Sequence, residues 1–141
     1  MTTTPEGLLR RMAQPGDSLD SVWERLTSAI HAMGIPVFAI IDHRQNALTA
    51  GLTMHGARLV IFGNPGVGTK LMCLSPEIAL DLPLRFLAEE TPAGVCLVWN
   101  DPAWLASRHG IDNGVEAVAK MRSLMLKLVE AAVPSRNEPQ D

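Results

Sequence analysis

The chain has 141 residues, 47% of them hydrophobic, with 12 lysines and arginines against 15 aspartates and glutamates. That is the length of one domain at roughly 100 to 200 residues each, with enough apolar residues to build a core without staples, so a disordered chain is excluded. A formal charge of -3 offers no basic footprint for a phosphate backbone, and no apolar run reaches the ~20 residues of a membrane-spanning helix, so neither nucleic acid nor membrane is expected as a partner.

Met1 to Gly16 carries arginines where a signal peptide needs an apolar stretch, and Cys73 and Cys96 stand apart among apolar neighbours. Both features imply a cytoplasmic, reducing setting. From Asp17 to Met33, Leu19, Val22, Leu26, Ala29, Ile30 and Met33 recur at the spacing of one helical face. Asp17 or Ser18 serves as the cap and Gly34 as the exit. Val37 to Ile41 then reads as a well-buried strand, from its continuous apolar, β-branched and aromatic content. One or two helical turns should follow through Gly51, and Arg58 to Phe62 reads as a second strand.

Gly63-Asn64-Pro65-Gly66-Val67-Gly68-Thr69-Lys70 comes close to a phosphate-binding loop, but lysine and hydroxyl residue stand in reversed order. It is read instead as a tight connection into a short helix over Thr69 to Leu74. Leu82 to Glu89 and Val95 to Trp99 flank a Thr91-Pro92-Ala93-Gly94 turn and predict a hairpin. Leu82, Leu84, Phe86 and Ala88 alternate toward its buried face, and Arg85 and Glu89 lie on the wetter one. Asn100-Asp101-Pro102 starts a helix that Gly110 ends. The last helix, near Asn113 to Ala132, has one narrow polar stripe: Glu116, Lys120, Ser123, Lys127 and Glu130. Its apolar sector, about 220° wide, exceeds the ~100° needed to cover one sheet, which suggests a homodimer with Met125 in its interface. Arg122 interrupts that sector and needs a partner.

The histidines show no spacing for zinc, so no metal ligands are assigned. His31 and His55 read as surface residues. His43, beside Asp42, and His109, beside Arg108, end elements where side chains converge on clefts, although a helix-end role also accounts for His109. No nucleophile motif is present. Met33, Met72, Met121 and Met125 read as core filling, and Trp23, Trp99 and Trp104 as packing.

Together, Val37-Phe38-Ala39-Ile40-Ile41-Asp42-His43, Phe62-Gly63-Asn64-Pro65 with Gly68-Thr69 and Leu71-Met72, Ala79 to Arg85, Asn100-Asp101-Pro102 and Arg108-His109-Gly110 resemble the DUF302 family. The likeness runs from about Ser18 to Ile111. It implies an α+β fold of the TT1751-like type in the TATA-binding-protein-like superfamily, a curved, mainly antiparallel sheet packed by helices. It also implies a strand within Gly7 to Gln14 that the residues alone do not reveal. Trp99 stands where the family has tyrosine, and Lys70 is foreign to the motif. No activity or cofactor carries over from the family.

The expected organisation is one domain over residues 1–133 and a disordered tail over 134–141. The expected function is a homodimeric binding module for a small metabolite or cofactor, with Asp42, Asn64, Arg85, Asn100 and Arg108 as ligand-binding candidates. One alternative is a cofactor-independent isomerase or lyase with His43 or His109 as acid and base, and Arg85 or Arg108 holding an anionic substrate. Another is a structural or regulatory interaction protein, recognised by a filled core, no pocket and an exposed apolar patch.

Overall fold

The computed structural model describes residues 6–135. Five strands form one antiparallel sheet: β1 (Leu8–Met12), β2 (Val37–Asp42), β3 (Ala57–Phe62), β4 (Leu84–Thr91) and β5 (Gly94–Asn100), in the spatial order β1-β5-β4-β3-β2. The helices are α1 (Leu19–Ala32), α2 (His43–Thr49), α3 (Pro65–Leu74), α4 (Pro102–Arg108) and α5 (Glu116–Ala132), with a 3-10 turn at Pro76–Leu80. This is the α+β architecture that the family resemblance implied.

The β4–β5 hairpin supplies the centre of the sheet, and its alternation decides which side is core. Val60, Phe62, Leu84, Phe86, Ala88, Leu97 and Trp99 are buried with Val22, Leu26 and Ile30 of α1 and Val118, Met125 and Leu128 of α5. Phe62 stacks on Phe86 at 5.6 Å between ring centres, and Trp99 meets Phe86 at 5.7 Å. Such aromatic contacts add to what area burial alone contributes.

Capping explains the helix starts. Ser18 accepts from Ser21 N–H, Asp42 from Gln45, Asn64 from Gly66 and Asp101 from Ala103. Gly34, with φ 68°, makes the left-handed exit after α1. Gly7, with φ 79°, lies under the Trp104 ring so closely that a Cβ there would be 2.2 Å from it. Trp104 also carries the Arg108 guanidinium 5.8 Å above its ring centre.

Three expectations are corrected. β2 is not a well-buried strand: it is the edge of the sheet, and Val37, Phe38 and Ile40 are 45%, 54% and 57% exposed. α3 starts at Pro65 rather than Thr69, because Asn64 caps it and proline is pre-set for a first helical position. The wide apolar sector of α5 is used within the chain. It packs against α1, α3 and α4, leaving Met125 1% exposed, so Met125 is not available to an interface. Arg122 finds its partner in Asp101, Nε to Oδ1 3.5 Å.

Of the tail predicted over 134–141, residues 136–141 lie outside the described residues. Its start is tied down: Ser135 donates to Glu130 through its hydroxyl and, at 3.0 Å, through its backbone N–H. Arg11 reaches Glu130 at 2.5 Å. The Ser135 hydroxyl, its N–H and then Arg11 hold the Glu130 carboxyl down to a pKa of about 2.

Candidate functional site

The sequence-selected polar residues fall into separate groups. Asp42 is opposite Arg58, which is opposite Ala88, which is opposite Leu97. Asp42 and Arg58 stand at one end of the β2–β3 pair, whereas Asn64 follows the opposite end of β3, six residues on from Arg58, and Asn100, Arg108 and His109 lie at or after the end of β5. Asp42 is engaged as the α2 cap and stands 3.9 Å from Arg58, while His43 begins α2 exposed to solvent. Arg85 points to the sheet face opposite the helices, its guanidinium donating to the Pro83 carbonyl at 3.3 Å. Asn100 pairs with Leu8 at the end of β5.

Arg108 and His109 are brought together, on Asp81. His109 Nε2 is 2.6 Å from Asp81 Oδ2, and Arg108 Nη1 contacts both carboxylate oxygens at 3.0 and 2.8 Å. The three close the end of α4 onto the end of the 3-10 turn. The carboxylate satisfies the imidazole, and a histidine just past a helix end also opposes the negative pole of that helix. His43 is at the far end of the sheet. Of the side chains named for an isomerase or lyase, His109 and Arg108 thus meet, both engaged by Asp81 and outside the neighbouring cavity, while His43 and Arg85 do not join them.

Beside this cluster, and sharing none of its three side chains, lies a cavity of about 500 Å³. Its walls come from the end of α1 (Met33), Ile35, β2 (Phe38), α3 (Val67, Met72), the Leu82-Pro83 segment, β4 (Leu84) and α5 (Met121, Leu124). Its polar lining is limited to Asn64, Thr69 and Lys120 among side chains. The local reasons for the hollow are readable. β2 carries an irregularity between Val37 and Ala39 that breaks its register with β3. α3 presents glycine at Gly68, where a Cβ would meet only Met72 at 3.7 Å and Leu82 at 3.9 Å, both ordinary contacts. A side chain is missing there, and the space is what remains.

Of the predicted ligand-binding residues, Asn64 alone lines this cavity, and its side-chain oxygen already accepts from Gly66 N–H at 2.9 Å. Reading the methionines as core filling hides the walls: Met121 and Met125 are core, but Met121, with Met33 and Met72, also lines the cavity. Methionine suits a surface that adapts to an apolar guest, so a methionine set beside a glycine-containing helix was the available signal. None of the tryptophans lines it. Cys96 is buried and its thiol pKa is raised by that burial, while Cys73 is exposed. Among the described residues no three His, Cys, Asp or Glu side chains lie close enough together to hold a metal ion.

The family model "Domain of unknown function DUF302" matches residues 12–129. The chain belongs to the DUF302 family. A crystal structure titled as an uncharacterized conserved DUF302 protein from Bacillus stearothermophilus superposes with a TM-score of 0.77 at 12% identity, over 91% of this chain and 99% of that one. At that identity the likeness is one of fold. The DUF302 chain is also 48% identical over 89 residues, 62% of its length, to a protein of Brucella suis biovar 1 (strain 1330) named "Fluoride-specific ion channel FluC 1". It matches the equally named protein of Brucella abortus biovar 1 (strain 9-941) to the same degree. The match spans about a third of these relatives, 35% and 33% of their lengths. Among the described residues of this chain, no helix is long and apolar enough to cross a membrane.

Proposed function

We propose that this DUF302 protein is a binding module for a small, largely apolar molecule, held in the cavity between α1, α3, α5 and the β2 side of the sheet. The observation that carries the reading is the cavity itself. Its volume of about 500 Å³ lies within the roughly 300 to 1,000 Å³ of ligand pockets, and it has the predominantly apolar walls and few polar groups of such sites. Met33 and Phe38 are lining residues and also 45% and 54% exposed, which makes them the rim through which a guest enters.

The neutral dye Nile red tests this. It should bind saturably, with the fluorescence gain of an apolar environment, and Gly68→Leu should abolish the signal while circular dichroism stays unchanged. A signal that survives the plug in a folded variant removes the cavity as the site.

The relatives favour a second reading. In the Brucella proteins a closely similar segment forms about a third of a chain named as a fluoride channel, which suits a regulatory domain acting beside a channel. Deleting that segment from the Brucella suis protein should change fluoride efflux from proteoliposomes. An unchanged rate would remove the regulatory reading.

A further inference from the structure

The distribution of polar groups around the cavity narrows the class of guest, on the footing that the cavity is a binding site. Its walls hold Met33, Ile35, Phe38, Val67, Met72 and further apolar side chains, but one charged residue, Lys120. No carboxylate lines it. Thr69 and Asn64 are the other polar side chains, and both are exposed, as is Lys120 at 54%. The space is thus apolar in its depth, and its solvent side joins the exposed Met33 and Phe38 to these polar groups, with a single positive charge there.

Lys120 is held in place only weakly. Its described partner is Glu116, one helical turn earlier on α5, at 3.2 Å, and Glu116 is 82% exposed. Such surface pairs contribute little, so the ammonium is free to turn toward a guest. Lys120 lines the wall together with Met121 and Leu124, a setting in which a lysine stem covers apolar surface while its charge stays in water. At the ~30 Å³ that a water-sized unit occupies, the cavity accommodates on the order of sixteen non-hydrogen atoms. We propose that the guest is a monoanionic amphiphile, a medium-chain carboxylate whose apolar chain fills the cavity and whose carboxylate meets the Lys120 ammonium at its mouth.

The test compares three probes with the same ten-carbon chain, decanoate, decanol and decyltrimethylammonium, by calorimetric titration below their aggregation concentrations. Decanoate should bind about tenfold more tightly than decanol, which offers the Lys120 ammonium no charge to pair with, and decyltrimethylammonium more weakly than either. The preference should shrink as salt is raised. Lys120→Ala should bring decanoate down to decanol, and Lys120→Glu should reverse the order of the two ions, with decanol unchanged in both. Equal binding of all three probes would overturn anion selection and leave the apolar-site reading standing. Binding of none would overturn that reading, and this inference with it.

Discussion

Asp81 and Leu82 are neighbours in the chain but belong to two different regions. Asp81 gathers Arg108 and His109 into a compact ion-paired cluster, whereas Leu82 belongs to the wall of the apolar cavity. The cluster has the residue types that usually attract a functional reading, yet its charges satisfy one another. The cavity has almost none of those types and is unfilled space. Charged side chains at element ends are as readily accounted for by closing those ends as by chemistry, and a binding site can arise where bulk is absent.

The comparison breaks most sharply at Met125. Because it is buried in the core rather than exposed for a partner, Met125→Glu should cost about 3–5 kcal/mol through an unpaired buried charge, a large share of a domain's stability. Urea denaturation should show this loss, and Leu126→Glu, at a 52% exposed position, should change stability by no more than about 0.5 kcal/mol. A folded Met125→Glu monomer would restore the interface that the sequence suggested.

Asp81→Asn sharpens the contrast from the polar side. It should lower stability by about 1–3 kcal/mol, because Arg108 and His109 lose the charge and one accepting oxygen of their shared partner, while cavity binding stays within twofold. Loss of binding in a folded Asp81→Asn protein would join the two regions into one site. Gly68→Ala should do the opposite and stabilise by about 0.5–1 kcal/mol, since a helical glycine with only ordinary contacts for a Cβ gains propensity. A thermal melt reads the sign.

The smallest effect concerns the chain end. Glu130 titrates near 2 when folded and near its ordinary 4.5 when unfolded, so its contribution to stability is complete above the unfolded value. That contribution fades as pH falls from there through the folded value. Ser135→Ala removes the largest cause of the shift, and NMR titration of the Glu130 carboxyl should show its pKa rising toward the ordinary value.

Much of the fold was legible in particular residues. α1 was readable because Leu19, Val22, Leu26 and Ile30 repeat at helical spacing behind the Ser18 cap, and the central hairpin because Leu84, Phe86 and Ala88 alternate with Arg85, Leu87 and Glu89. β1 was not, since Leu8-Leu9-Arg10-Arg11-Met12 has no alternation, and only the family resemblance supplied it. β2 was read as buried because a continuous apolar run usually means two covered faces; here it marks a sheet edge beside the cavity. The candidate site was almost illegible. It depends on segments around Met33, Val67, Leu82 and Met121 meeting in space, and on the side chain that Gly68 lacks, neither of which a residue type announces.

The most direct measurement is amide chemical-shift mapping with decanol, a neutral guest that ignores the charged residues. Shifts should concentrate at Met33, Gly63 to Thr69 and Lys120 to Leu124. Shifts centred instead on Asp81, Arg108 and His109, or on Asp42 and His43, would contradict it.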